Sequence, residues 1–353
     1  MKAAVYFGIG DIRCTDIDDA RLSADHEMLV QVQATSICGS DLHLYRGALD
    51  PIMERGKSQT GHELIGRVLE TGRAVRRFKP GQRVSMGYSV SCGHCHMCGV
   101  GQTAHCETTK SAVYGFGVPF GNINGTHAEA LVLPHADGHA LRVPDGVSDE
   151  GAVLLSCNLP SAVIGNRLAD IRPGERVALI GCGPTGMMAL DLALQRGPGR
   201  VVVLDRLADR LDRARARGAT AIDIGGQGWK ELALAETDGR GFDKVIEVVG
   251  LPDALQMALD LVRPGGTIAA IGVFTDSTFN LDLANVFLRN ISLHMNGFAS
   301  VAPVMADALE LIEHGVIDPA RYFTHTFPLA RIDEAFKTFH EKRDAAMKVL
   351  IRP

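Results

Sequence analysis

The chain has 353 residues, 46% hydrophobic and 22% charged, with a formal net charge of −5, the profile of one or two globular domains with room for a large core. It carries no basic block or stripe, which argues against a nucleic-acid partner, and no apolar run as long as a membrane span. The opening MKAAVYFGIG lacks the apolar core and cleavage site of a signal peptide, so a cytoplasmic protein is expected, its eight Cys serving as thiols or metal ligands rather than as disulfides.

The first third reads as β-rich. Ala3 to Phe7 and Leu29 to Ala34 are short apolar or alternating runs. Cys38-Gly39-Ser40-Asp41-Leu42-His43 follows as a loop or short helix. Gly61-His62-Glu63 is a turn leading into an alternating strand from Leu64 to Leu69, and Lys79-Pro80-Gly81-Gln82-Arg83-Val84 turns into another. A cysteine-dense insertion occupies residues 92–106, Ala128 to Leu133 is a strand, and Pro144-Asp145-Gly146 a turn. Gly151 to Ala169 reads as helical. From residue 176 apolar runs (Val177 to Ile180, Val201 to Leu204, Lys244 to Val249, Thr267 to Ile271) alternate with helical patterns (Thr185 to Gln195, Ala208 to Arg217, Asp253 to Val262, Asp282 to Leu288). That alternation predicts an α/β fold with a parallel sheet covered on both faces. Two amphipathic helices, Ala302 to Glu313 and Ile332 to His340, lead to a last strand from Lys348 to Ile351.

Val177 to Ile180 runs into Gly181-Cys182-Gly183-Pro184-Thr185-Gly186 and then a helical pattern. Glycines allow the tight turn and the close approach of backbone to a pyrophosphate, and the helix N-terminus offers free N–H groups. The second run ends in Asp205 at the distance expected of a ribose-binding acid. Its charge would repel a 2′-phosphate, which favours NAD over NADP; the adjacent Arg206 acts in the other direction. The plainer reading makes Asp205 a helix cap and Arg206 a solvated surface charge.

Cys92, Cys95, Cys98 and Cys106 give four thiolates within fifteen residues, a set that suits a closed tetrahedral zinc. With no open position this zinc is structural, and His94, His96 and His105 are expected to stay exposed on the lobe. Of the remaining cysteines, Cys182 lies in the glycine loop and Cys14 in an early strand or turn, and both read as ordinary small residues. Cys38, His62 and Cys157 remain as candidate ligands. A Cys2His set is one pattern of catalytic zinc, but spacing alone does not pair ligands so far apart.

The succession Cys38-Gly-Ser-Asp-Leu-His43, Gly61-His62-Glu63, the four-Cys lobe, Cys157, Gly181-x-Gly183-x-x-Gly186 and Asp205 resembles the zinc-dependent medium-chain alcohol dehydrogenase family over essentially the whole chain. Lys79 to Val84 resembles the family's Pro-Gly-Asp-Arg-Val turn, with Gln82 in place of Asp, a change expected to affect only local capping. The resemblance implies a GroES-like catalytic domain built from residues 1–157 and 295–353, with an inserted Rossmann domain, a doubly wound parallel sheet, at 158–294. It implies two zinc ions per subunit and NAD. Cys38, His62 and Cys157 match the catalytic zinc ligands, Glu63 a carboxylate near the metal, and Asp41 a brace for the His62 ring. Ser40 and His43 match a proton relay. Ser161, Val249 and Gly250 match positions near the cofactor, and Lys348 a basic residue reaching its pyrophosphate. The implied reaction passes hydride between an alcohol and NAD, the proton leaving through Ser40 and His43.

Small and aliphatic residues around the ligands, and no evident Arg to hold an anion, favour a fairly apolar, secondary alcohol, with ketone or aldehyde as product. Tyr88, Val90, Tyr114, Phe116, Phe120 and Phe298 are candidate lining residues, each with core packing as its default. Within the same apparatus a polyol, an amino-alcohol or formaldehyde are alternative substrates. Outside catalysis, a zinc-binding regulatory or nucleic-acid module around residues 92–106 is disfavoured by a Cys spacing too compact for common zinc fingers and by the lack of a basic face, and a nucleotide sensor by the intact Cys38, Ser40, His43, His62 and Cys157 set. The resemblance also implies a homo-oligomer, dimer or tetramer, paired through strands around Ile291 to Met295.

Overall fold

The computed structural model describes Met1–Pro353. The chain divides into two compact units, Met1–Pro160 with Ser300–Pro353, and Ser161–Ala299. No helix is long and apolar enough to cross a membrane.

In chain order the first unit begins with β1 (Lys2–Gly8), β2 (Asp11–Asp16), β3 (Met28–Ile37), α1 (Asp41–Tyr45), β4 (Leu64–Thr71), β5 (Arg83–Met86), α2 (His96–Gly99), β6 (Ala130–Leu133), β7 (Ala140–Arg142) and α3 (Asp149–Leu154). The helix expected from Gly151 to Ala169 is broken. Residues 155–157 form a turn, and α4 (Asn158–Ala169) starts after it. Pro160 explains the restart, since proline is accommodated only in the first turn of a helix. The break matters because it places Cys157 outside both helices.

The second unit continues with β8 (Arg176–Ile180), α5 (Pro184–Leu194), β9 (Arg200–Asp205), α6 (Ala208–Arg215), β10 (Thr220–Asp223), α7 (Trp229–Ala235), β11 (Phe242–Glu247), α8 (Pro252–Leu261), β12 (Val262–Ala270), α9 (Leu283–Leu288) and β13 (Ser292–Met295). All six strands are parallel, in the order β10-β9-β8-β11-β12-β13. This is the doubly wound arrangement, whose strand order reverses beside the first strand and opens a crevice there. Strands β8 and β9 are buried almost throughout, as sheets covered on both faces require. The unit ends at Ala299, a few residues past the expected boundary, because the chain beyond β13 still packs here: a Cβ on Gly297 would meet the Gly272 carbonyl at 2.5 Å.

The chain then returns to the first unit with α10 (Met305–Glu313), β14 (Phe323–Pro328), α11 (Ile332–Glu341) and β15 (Lys348–Arg352). A seven-stranded sheet results, ordered β14-β15-β3-β4-β5-β7, with β6 also paired to β3. Its central strand β3 alternates in burial at first and is wholly buried from Ala34 to Ile37. One core gathers Ile37, Leu42, Leu44, Phe336, Phe339, Val349 and Ile351, and another Met28, Val30, Leu64, Val84, Met86 and Tyr114. The turn before β5 keeps its cap despite the unusual Gln82, whose Oε1 accepts from Lys79 N at 3.0 Å.

Candidate active site and metal centres

The buried end of β3 delivers Cys38, and the chain turns at once into α1. Asp41 looks back across that turn. Its Oδ2 accepts from the Cys38 backbone N–H at 2.8 Å and its Oδ1 faces His62 Nδ1 at 3.1 Å. A carboxylate oxygen accepts, so Nδ1 carries a proton and Nε2 is the nitrogen left to take a second proton or a metal ion, the orientation a metal-binding histidine needs. Burial works to lower the His62 pKa, yet Asp41 holds it well above its usual value. Ser40 sits at the N-cap of α1 without using its side chain to cap. Its hydroxyl lies 3.3 Å from His62 Nε2. His43 is half-buried on α1.

Gly61 turns the chain into His62 at φ +93°, where a Cβ would collide with a neighbouring ring. Cys157 arrives from the turn between α3 and α4. The ligand atoms of Cys38, His62, Glu63 and Cys157 all lie within 4.8 Å of one another. A hydrogen bond from the Cys157 thiol, aided by His62, holds Cys38 well below the usual thiol range against burial; the same bond, with burial, pushes Cys157 up. Asn158 Nδ2 donates to Cys38 Sγ at 3.4 Å. Two soft sulfurs, an imidazole lone pair and a carboxylate converging this closely fit a zinc ion with a fourth position to spare.

Glu63 departs from the simplest expectation. It is fully buried, accepts from Ser36 Oγ, and pairs with Lys348 Nζ at 2.6 Å. Burial pushes its carboxyl up to about 7, against the pull of Lys348. Its second oxygen, Oε1, has no hydrogen-bond partner and is the atom left to approach a metal. Lys348 must therefore be corrected. The expected pyrophosphate contact does not exist for a side chain that is wholly buried on β15, with its ammonium on Glu63 and the Ile37 carbonyl.

Cys92, Cys95, Cys98 and Cys106 form the second donor cluster. Cys92 Sγ lies 4.0 Å from Cys98 Sγ and Cys95 Sγ 3.8 Å from Cys106 Sγ. Sulfurs bound at about 2.3 Å in a tetrahedron are about 3.8 Å apart, so the set fits a zinc with no open position. All eight cysteines are free thiols. His94, His96 and His105 are exposed on the lobe.

In the second unit the glycine loop follows β8. Gly181 has φ +94°, and a Cβ on Gly186 would lie 2.0 Å from the Gly181 carbonyl oxygen, so both positions need glycine. Pro184 and Thr185 open α5. Asp205 ends β9, but its carboxylate is already engaged: Oδ2 accepts from Cys182 N at 2.7 Å, and Oδ1 from Arg206 N at 2.7 Å and Leu207 N at 3.0 Å. It ties the loop to the strand, with Arg210 3.8 Å away; Arg206 is exposed and Ser161 half-buried on α4. Val249 and Gly250 follow β11, held by a residue the sequence reading missed. Glu247 Oε1 accepts from Val249 N at 2.6 Å and Gly250 N at 2.8 Å, and burial pushes this carboxyl up to about 7. An acid closing an apolar run just before a glycine turn was the available signal.

Of the aromatic candidates, Tyr88 and Phe116 stand edge-on to His62 at 6.2 and 5.3 Å, and Phe120 packs on Phe116. Val90 and Tyr114 are core residues, Tyr114 being bonded to His139. Phe298 belongs to the other unit.

Residues 24–145 match the family model for the alcohol dehydrogenase GroES-like domain, and residues 184–314 the model for the zinc-binding dehydrogenase. A Mycobacterium tuberculosis protein named as a zinc-binding alcohol dehydrogenase is 34% identical over 353 residues, covering 100% of this chain and 89% of its own. The chain belongs to the zinc-type medium-chain alcohol dehydrogenase family. Among solved structures, the alcohol dehydrogenase of Thermus sp. ATN1 aligns with a TM-score of 0.92 at 33% identity, covering 100% of this chain and 99% of that one. An Escherichia coli CFT073 alcohol dehydrogenase complexed with NADH aligns at 0.86 and 26%, covering 100% and 99%. As a zinc-type alcohol dehydrogenase the protein is a zinc-dependent oxidoreductase, with two clusters of zinc-ligand residues.

Replacing Lys348 by Met leaves Glu63 buried without its counter-ion. Breaking such a pair costs about 3–5 kcal/mol when the survivor stays charged. A carboxyl whose pKa is raised on folding binds more protons in the folded state than unfolded, so its stability contribution falls as pH rises above the unfolded value. Glu63 is already raised to about 7, and loss of Lys348 extends that fall to higher pH. Denaturant titrations should show the Lys348→Met deficit to be larger near pH 8 than near pH 6; a deficit independent of pH would contradict a charged pair.

Proposed function

We propose that this dehydrogenase oxidises an uncharged, fairly apolar secondary alcohol to its ketone, with NAD as hydride acceptor. The observation that carries the reading is the convergence of Cys38, His62, Cys157 and Glu63 within 4.8 Å, beside a Ser40 hydroxyl 3.3 Å from His62 Nε2. Cys38, His62 and Cys157 would hold the catalytic zinc, which supplies Lewis acidity that makes an alcohol proton labile. Asp41 keeps the His62 lone pair on Nε2. Ser40 accepts the alcohol proton at its hydroxyl oxygen as it releases its own hydroxyl proton towards His43, an imidazole base that delivers it to solvent. Tyr88 and Phe116 supply apolar surface beside His62 and exclude water there.

The preference for NAD is supported by the Asp205 carboxylate, which disfavours a second phosphate on the adenosine ribose. Glu247 shapes the Val249–Gly250 turn, which the family resemblance puts near the cofactor. The test is reduced-nicotinamide formation, followed by its near-ultraviolet absorbance, across primary, secondary, cyclic and polyol substrates, amino-alcohols and hydrated formaldehyde, with NAD and NADP compared. Activity strongest on apolar secondary alcohols is expected; no turnover of any alcohol refutes the reading. Ser40→Ala should lower kcat by about 10²-fold while metal analysis still finds zinc at both clusters. An unchanged rate would remove Ser40 from the relay.

The same reading includes a homo-oligomer. Strand β13 ends the six-stranded sheet with one edge unpaired, an edge that isolated proteins normally protect, and Met295 on it and Leu283, Phe287 and Leu288 on the preceding α9 are exposed. A second copy pairing along β13 would cover both. Light scattering should find an oligomer for the native chain and smaller particles for Phe287→Glu; a native monomer would end this part of the proposal.

A further inference from the structure

His127 has no place in the chemistry above, yet it is a wholly buried imidazole with both ring nitrogens engaged. Nε2 lies 3.2 Å from the Ser36 carbonyl oxygen and Nδ1 lies 3.0 Å from Thr60 Oγ1. A carbonyl only accepts, so Nε2–H donates to Ser36 and the Thr60 hydroxyl donates to Nδ1. Burial lowers the pKa of His127, in keeping with this neutral tautomer.

The two partners are the informative part. Ser36 stands two residues before Cys38, and Thr60 two residues before His62. One rigid ring thus bridges the two segments that carry these ligands. Its face lies against Gly61, where a Cβ would fall 2.6 Å from the ring carbons, and its edge meets Phe336 of α11 at 5.7 Å between centroids. The backbone repeats the tie: His127 N donates to Thr60 O at 3.0 Å and Thr126 N to Gly61 O at 2.9 Å. Next door, Thr126 Oγ1 accepts from Glu63 N at 3.1 Å and contacts Thr35 Oγ1 at 3.0 Å. A phenyl ring would fill the same volume but leave the Ser36 carbonyl and the Thr60 hydroxyl without these bonds, in a place where lost bonds are costly.

Resting on the zinc reading of the Cys38–His62–Cys157 site, we infer that His127 is a positioning residue that holds the end of β3 against the Gly61–His62 turn and thereby sets how long that site retains its metal. Groups that orient metal ligands from behind typically change metal affinity 10–100-fold. The Cys92–Cys106 lobe has no connection to His127 through these bonds and serves as an internal standard.

The experiment follows zinc release from the holoenzyme into an excess of a chromogenic chelator. Cys157→Ser identifies the phase belonging to the Cys38 site. His127→Phe should accelerate that phase about tenfold or more and leave the lobe phase unchanged, and His127→Gln, which keeps an N–H donor, should move the rate back towards wild type. Thr60→Val keeps the imidazole and removes one bond; it should accelerate the same phase less, and it decides the matter if His127→Phe does not fold. Equal acceleration of both phases, or none in either variant, overturns the inference and leaves the zinc reading standing. A wild-type protein with no release phase sensitive to Cys157→Ser overturns both.

Discussion

Three acids or thiols and an imidazole are gathered in the buried centre of the first unit, and their charge has to be balanced there. Taking one ion out of water costs several kcal/mol even after relaxation, unless a counter-ion and hydrogen bonds make up the loss. Lys348 is that counter-ion. Its ammonium meets Glu63 at 2.6 Å while Ser36 donates to the same carboxylate oxygen. The requirement explains a feature of the fold that strand propensity alone does not: residues from the last strand must lie beside the third and fourth. β15 pairs with β3 through Val349–Ile37, Leu350–Ser36 and Ile351–Thr35, which lays the Lys348 side chain against the end of β3. The two ends of the chain form one unit around this charge.

Imidazole orientation is governed by the same economy of partners. Asp41 bonds the Cys38 amide with one oxygen and the His62 ring with the other. Cys38 and His62 are thereby fixed relative to each other without a metal. Ligands placed in advance would lose less freedom on binding a zinc, and the Nδ1 proton facing Asp41 leaves Nε2 as the nitrogen that could take it. Glu247 plays a comparable part in the second unit, where it gathers the Val249 and Gly250 amides. In both units a buried carboxylate shapes a turn that follows a strand.

What was legible in the sequence follows from distance along the chain. The four-Cys lobe could be read from its spacing because its ligands span fifteen residues, so local geometry brings them together. The glycine loop was legible because strand, glycines and helix are contiguous. Cys38, His62 and Cys157 stand out as candidates by residue type, but only the family resemblance joins them into one set, since their meeting depends on two sheet registers and on the break before α4. Lys348 was misplaced for the same reason: a lysine opening the strand KVLIR looks exposed by default, and only the β15–β3 pairing shows it buried on Glu63. Asp205 closes its strand where the sequence places it; its bonds to the Arg206 and Leu207 amides are local, whereas the bond to the Cys182 amide depends on the tertiary fold. β10, α7 and β14 were passed over as elements; β10 in particular is a four-residue edge strand with one buried residue, Ile222, too short for a clear period.

The hexapeptide Cys38–His43 shows why adjacent residues can take different tasks. A chain leaving a strand and entering a helix changes its side-chain period from two to 3.6 within a few residues, so successive side chains fan out in different directions. Cys38 follows the last residue of β3 and is buried. Ser40 occupies an N-cap whose hydroxyl is not spent on capping and is directed at His62 instead. Asp41, in the first turn of α1, folds back to the Cys38 amide, and His43 lies half-buried two residues on. Either a longer strand or an earlier helix would direct several of these groups to one face. The strand-to-helix transition is therefore the constraint on the spacing, and a one-residue insertion between Cys38 and Asp41 would separate a ligand from its brace while leaving every residue type in place.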